Sequence, residues 1–222
     1  LAACLSIWAF YIEPSSFQLR EYRLSISNWP RAYKGMKIAL LADLHVGSPY
    51  YGSGKIRDVV KMTNSSKPDI ILLAGDFVVH GVIGGNFVEP AEFAKILSEL
   101  TAPMGVYAVL GNHDYWYSAS KVEKELTDVG IICLENRAIK INTSIFHFWL
   151  AGIGDYWEGH PDIPGTLQQV TDTDPILAFT HNPDIFPDIP PSVSLTMAGH
   201  THGGQVYIPL IGRPIVPSEN RE

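Results

Sequence analysis

An α/β domain, built of mixed β-sheets packed as a sandwich and flanked by helices, is the architecture this chain predicts. Three observations point to it. Short, wholly apolar runs alternate with amphipathic stretches through the first half. Such runs are expected of strands buried on both faces and joined by helical crossovers. In the second half the apolar runs crowd together with turns between them, as in a hairpin or meander. A chain of 222 residues with 46% hydrophobic and 18% charged residues is also long enough to bury a core without covalent staples.

The elements follow in order. Residues 1–14 hold an apolar run, LAACLSIWAFYI, ahead of Glu13-Pro14. It is shorter than the roughly 20 residues that span a bilayer as a helix. It is read first as the end of a membrane anchor, with a signal-peptide core and a buried first element as alternatives. Residues 15–222 make up the domain proper. Phe17–Ile26 alternates apolar and polar side chains, as a half-exposed strand would. KIALLA (37–42), DIILLA (69–74) and GVYAVL (105–110) are expected strands, each followed by a loop and a helix. Those helices are placed at Lys55–Ser65, Pro90–Leu100 and Ser118–Val129. Ile131–Leu134, Ala138–Ile141 and Ile145–Ile153 follow, with a turn at Asn142-Thr143, and then Ile176–Thr180 and Val193–Ala198. Pro161–Pro164 and Pro187–Pro191 read as loop punctuation.

Charge narrows the function. A formal net charge of −7 is the wrong sign for a protein that holds nucleic acid by neutralising phosphates, so no nucleic-acid partner is expected. A small phosphorylated ligand stays compatible, because a bound cation reverses the local field. Cys4 and Cys133 are too far apart in sequence to suggest a metal-binding pair, and they do not indicate a redox compartment.

The polar residues are informative by position. Five of the apolar runs end in side chains that can ligate a metal: Asp43-Leu44-His45, Gly75-Asp76, Gly111-Asn112-His113-Asp114, His181-Asn182 and Gly199-His200-Thr201-His202. In open α/β sheets ligands bind outside the carboxyl ends of the strands. A crevice lined by Asp, Asn and His, with no thiolate, suits borderline or hard divalent ions such as Mn, Zn or Fe(II). Residues two apart at a strand end are expected to point to one side, so Asp43 with His45, and His200 with His202, can share an ion. A lone Gly-Asp is usually a turn and a lone strand-end His usually structural. Five such endings in one chain make the structural explanation a poor one.

This order of motifs resembles the calcineurin-like metallophosphoesterases over about Lys37–Pro217. It is most similar to bacterial, often membrane-anchored single-domain enzymes carrying the phrases GVYAVLGNHD and AGHTHGGQ, which stand here at Gly105–Asp114 and Ala198–Gln205. The resemblance implies a dinuclear site. Asp43, His45 and His202 would bind the first ion, Asn112, His181 and His200 the second, and Asp76 both. His113 would face the leaving group, steadied by Asp114. Similar enzymes continue beyond the Gly-His-x-His motif with further strands, so the chain is expected to stop short of the end of the fold.

Two divalent ions with two carboxylates leave an excess of two positive charges, which suits a hydroxide nucleophile and a phosphate oxygen anion. The expected activity is hydrolysis of a phosphoester or pyrophosphate by a hydroxide bridging the ions. The expected substrate is a phosphorylated small molecule or lipid, lipid-linked or nucleotide-lipid, at a membrane. A broad-specificity phosphodiesterase and a non-catalytic membrane-associated metal-binding module are the alternatives. Of the remaining residues, Asp155 reads as a turn cap, His80 and His160 as loop residues and His147 as structural. Tyr115, Trp116 and Tyr117 read as packing at a helix start or as a wall for an aromatic or lipid-like group.

Overall fold

A computed structural model describes residues 8–12, 15–26, 29–204, 212 and 216–219. The expected anchor falls partly outside them: Trp8–Ile12 form one π-helical turn, and residues 1–7 and 13–14 are not described. No helix among the described residues is long and apolar enough to cross a membrane.

Among the described residues, eight strands form two four-stranded sheets. The first runs β1 (Ile38–Leu41), β2 (Ile70–Ala74), β3 (Val106–Val109), β4 (Ile132–Cys133), all parallel and in chain order. The second runs β5 (Arg137–Asn142), β6 (His147–Gly152), β7 (Ile176–Phe179), β8 (Val193–Met197), with β5 antiparallel to β6 and the rest parallel. The predicted sandwich is therefore present, as one parallel and one mixed sheet.

Side-chain parity explains the layering. On β2, Ile70, Leu72 and Ala74 point into the layer between the sheets, where they meet Phe148, Leu150, Leu177 and Phe179. Ile71 and Leu73 point the other way, onto three helices. Those helices are α1 (Ser53–Ser65), α2 (Pro90–Leu97) and α3 (Asn112–Asp128). Ile56 and Val60 on α1, Phe93 and Leu97 on α2, and Val122 and Leu126 on α3 recur four residues apart, which places each pair on one helical face. The outer face of the second sheet is covered by a short α4 (Ile163–Leu167) and a 3-10 turn at Pro183–Asp188, through Ile163 and Ile185. With no polar residue at its five positions, β2 reads as buried on both faces, and all five are buried.

Three expectations are corrected. Phe17–Ile26 is not a strand: it has no regular secondary structure, and Leu19, Tyr22 and Leu24 are exposed. Alternation specifies a strand only where a sheet edge accepts its backbone, and none among the described residues does. α3 begins six residues before Ser118, at Asn112, so the Asn-His-Asp motif lies on its first turn rather than in a loop; the helix is broken at Ser118, whose backbone is extended. β6 starts at His147 rather than Ile145, because Thr143 closes a turn by accepting the N–H groups of Ile145 and Phe146 on its hydroxyl.

Candidate metal centre

All five motif-bearing segments leave their strands at the carboxyl ends, and the two sheets bring those ends together. The chain after β1 runs on beside the chain after β2: Asp43 N–H donates to the Gly75 carbonyl, His45 N–H to Asp76 and Val46 N–H to Phe77. The chains after β7 and β8 are joined in the same way, with Gly199 N–H donating to the His181 carbonyl. One link between the sheets is Asp43, whose two carboxylate oxygens accept the backbone N–H of His200 at 3.1 and 2.9 Å. Asp43 and His200, 157 positions apart, therefore meet.

Nine non-glycine residues among those described have positive φ, and five of them are Asp43, His45, Asp76, His200 and His202. A side chain in this left-handed region costs on the order of 1–2 kcal/mol. Strain concentrated where polar side chains converge marks a functional site rather than an ordinary set of turns. It also corrects the expectation that Asp43 and His45 share a side because a strand alternates. They leave the strand and turn sharply, and the left-handed backbone aims them.

Close approach explains two glycines. A Cβ on Gly111 would lie 2.2 Å from Asp76 Oδ1, and one on Gly199 would lie 2.5 Å from the Ala42 Cβ and 3.1 Å from Asp43 Oδ2. Any side chain at either position would displace the carboxylates.

The side chains form overlapping groups of possible ligands. Asp43, His45 and His202 make one, with His202 Nε2 3.4 Å from Asp43 Oδ1 and 3.2 Å from His45 Nε2. Asp76, His181 and His200 make a second, with His181 Nε2 3.3 Å from Asp76 Oδ2 and 3.1 Å from His200 Nδ1. Asp76 Oδ2 also lies 3.5 Å from His45 Nε2, so this carboxylate stands between the two groups. A third combination, His45, Asp76 and His113, overlaps both.

Hydrogen bonds behind the histidines fix their orientation. His181 Nδ1 is 2.7 Å from the Ala74 carbonyl and His45 Nδ1 is 3.3 Å from the Val78 carbonyl. Donation from these nitrogens leaves both Nε2 lone pairs facing the carboxylates, an arrangement typical of metal-ligating histidines. Lone pairs turned toward a carboxylate repel unless a proton or a cation lies between. Asn112 Oδ1 is buried without a hydrogen-bond partner, a costly state for an isolated polar atom that a cation would relieve. The donor set fits divalent cations.

Electrostatics agree. Burial raises Asp76, but the His181 hydrogen bond and charge, with His45, outweigh it and hold the carboxyl at about 2. Burial lowers His181, yet Asp76 and Asp43 carry it up to about 9, so near pH 7 a proton on Nε2 takes the place that a cation would take between it and Asp76. Burial lowers His45 and His200 to about 4, so both are neutral donors near pH 7. Asp76 Oδ1 further accepts the His113 N–H at 2.9 Å, on the first turn of α3, where the helix favours negative charge.

His113 is part-buried beside these groups. Its ring lies 4.7 Å from that of His45 and 4.7 Å from that of Trp116. Asp114, expected to steady that ring, does something else. Its carboxylate accepts four backbone N–H groups, from Asp76, Phe77, Val78 and Gly111. Adjacent helical side chains do not face each other, which is why it cannot reach the His113 ring as expected. It locks the loop after β2 to the start of α3 instead. Burial raises this carboxyl to about 7, Asp76 adds to the rise, and the N–H groups of Gly111 and Val78 oppose it.

Three further residues belong to the surroundings. Asp155 is buried; its Oδ2 caps the turn at Trp157 and Glu158, as expected, while its Oδ1 has no partner. Trp157 sets its ring edge-on to His200 at 4.4 Å, a contact that only long-range packing creates. Glu135 accepts the Leu110 N–H at 2.7 Å and the Tyr115 hydroxyl at 2.8 Å, bracing both sides of the Asn-His-Asp turn. Glu135 was findable: it directly follows the fourth apolar run, Ile131–Leu134, as the other strand-end polar residues follow theirs. The remaining histidines take minor positions. His80 is exposed with its ring 6.0 Å from Phe87, His160 is exposed, and His147 pairs with Tyr33 through its backbone.

Burial raises Glu135 to about 7, against the pull of its two hydrogen bonds. The folded chain thus binds this proton more tightly than the unfolded chain. The associated stability is present below about pH 4.5 and is lost as pH rises through about 7. Urea unfolding in chelator is expected to show that Glu135→Gln removes a decline on the order of 3 kcal/mol across that window. Stability curves for the two proteins that stay parallel from pH 4.5 to 7.5 would contradict this assignment.

The model of the calcineurin-like phosphoesterase family matches residues 36–204. Phosphodiesterase YaeI of Escherichia coli is 36% identical over 217 residues, covering 95% of this chain and 76% of that one. YkuE of Bacillus subtilis, described as an uncharacterized metallophosphoesterase, is 29% identical over 95% of this chain and 73% of its own. Among solved structures, the Haemophilus influenzae NAD nucleotidase superposes with a TM-score of 0.52 at 15% identity. That match covers 75% of this chain and 43% of the nucleotidase, and it speaks to the fold alone.

Proposed function

We propose, from the premise that this chain belongs to the calcineurin-like phosphoesterase family and is a metal-dependent phosphoesterase, that it hydrolyses phosphodiester or pyrophosphate bonds at a centre of two divalent cations. The observation that carries this reading is the convergence of ligand atoms from four strand ends, facing one another across 3.1–3.5 Å. Asp43, His45 and His202 would hold one ion, Asn112, His181 and His200 the other, and Asp76 would be shared. Bound there, Mn, Zn or Fe(II) would lower the pKa of water toward about 7 and offset phosphate charge.

The chain's own groups supply the rest. His113 stands beside both ligand groups without being needed by either, and its ring is part-buried and lowered in pKa by that burial, with Asp76 opposing. It is the group placed to give a proton, or its charge, to the departing oxygen. Asp114 and Glu135 keep the turn that carries Asn112 and His113 in register with Asp76.

The name of the Escherichia coli relative favours phosphodiesters. A lipid-linked or nucleotide-lipid substrate at a membrane is the finer reading. It is supported by exposed Trp8, Tyr11 and Ile12, together with exposed Leu19, Tyr22 and Leu24. Purified protein is expected to hydrolyse bis-p-nitrophenyl phosphate with added Mn²⁺, to lose the activity in chelator and to regain it on readdition of Mn²⁺. Undiminished hydrolysis in excess chelator would rule the metal reading out.

A further inference from the structure

Two indoles border the centre. Trp116 lies one helical turn beyond His113 on α3, with its ring 4.7 Å from the histidine ring at 56°. Trp157 meets the His200 ring at 4.4 Å and 88°. Both remain open, at 58% and 43% exposure, although each touches a part-buried or buried site residue. Large exposed apolar groups are informative when they cluster at a site.

The pair is built rather than incidental. Trp116 Nε1 donates to Glu158 Oε1 at 2.8 Å, and Glu158 is the neighbour of Trp157. The turn that carries both is held from below by buried Asp155, which accepts the N–H of Trp157 at 2.9 Å and of Glu158 at 3.0 Å. One carboxylate thus orients one indole, and a second fixes the loop bearing the other. Tyr115 and Tyr117, by contrast, pack against the helix-side core, so the aromatic run after the Asn-His-Asp motif divides between core and rim.

We propose that Trp116 and Trp157 form a subsite for a planar aromatic ring in the substrate's organic group, held beside the phosphate. The subsite rests on the phosphoesterase reading above and adds the substrate class. Its position follows from the histidines: Trp116 flanks the group assigned to the leaving oxygen, and Trp157 flanks the opposite ligand group. An indole offers a ring a large, rigid face with little entropy to lose, and stacking of this kind is worth about a factor of ten in affinity. Glu158 presents a carboxylate at the rim, which disfavours a second anionic group there and favours a neutral ring.

Inhibition of bis-p-nitrophenyl phosphate hydrolysis tests the proposal with ligands that differ only in the ring. The Mn²⁺-loaded protein is expected to bind AMP at least about tenfold more tightly than ribose 5-phosphate. It should likewise prefer phenyl phosphate to methyl phosphate; a base preference without the phenyl preference would assign the subsite to nucleobases. Trp116→Ala and Trp157→Ala should each reduce the AMP preference to below about threefold, and Trp116→Phe should keep it. AMP should also quench indole fluorescence, and ribose 5-phosphate should not.

Equal inhibition by AMP and ribose 5-phosphate in the parent protein would overturn the proposal. So would an AMP preference that survives both alanine substitutions. A preference for octyl over methyl phosphate without any preference for a ring would also overturn it, marking the rim as a face for acyl chains. Failure of the underlying function would look different: no hydrolysis with any metal, while ring binding would still be visible as fluorescence quenching.

Discussion

Asp76→Asn is expected to lower kcat/KM by at least about 10³-fold and to reduce the metal content of the purified protein. The substitution is nearly isosteric, so the fold should survive it: β2 is buried by its apolar side chains, and Asp114 still ties the backbone N–H groups of residues 76–78. What is lost is the charge between the two ligand groups. Asp76 Oδ2 lies 3.3 Å from His181 Nε2 and 3.5 Å from His45 Nε2, so each cation would lose its shared carboxylate at once. Losing a group that merely supports a ligand already costs about 10–100-fold in metal affinity or activity. A shared ligand should cost more. Asparagine can still accept the His113 N–H on its amide oxygen, so the effect would not come from a displaced helix. Full metal content together with near-parent kcat/KM would show that Asp76 holds no ion.

His113→Ala should slow turnover by about 10²–10⁴-fold while leaving the metal content unchanged. Both parts of this expectation matter. His45, Asp76 and His113 also form a possible ligand group, so geometry alone admits His113 as a ligand. The assignment to the leaving oxygen rests on the two other groups being complete without it. Loss of one ion in the variant would make His113 a ligand. Retention of both ions with the parent rate would remove it from the chemistry altogether. A substrate with a good leaving group, such as bis-p-nitrophenyl phosphate, should feel the loss of His113 less than a dialkyl diester, because nitrophenolate departs without a proton.

Much of this was legible in the sequence because burial on two faces leaves a strong trace. IILLA has no polar residue to suggest a solvent side, and the polar residues that end such runs stand out against them. The topology then collects the ends, since parallel strands in chain order all finish on the same side. What escaped detection depends on contacts with no local signature. Phe17–Ile26 has a strand's alternation but no edge to join. Asp114 adjoins His113 in sequence, yet the helical turn directs its carboxylate to the loop after β2. The aim of Asp43 and His45 comes from left-handed backbone rather than from strand alternation. Trp157 reaches His200, 43 positions away, only once β6, β7 and β8 have joined in the second sheet, since one residue follows β6 and the other β8.

Titration of metal-free protein with Mn²⁺, followed by electron paramagnetic resonance, tests whether two cations share Asp76. Two equivalents are expected to bind and to give the spectrum of two magnetically coupled ions, with the coupling lost in Asp76→Asn. Saturation at one equivalent, with the six-line signal of an isolated ion, would contradict that sharing.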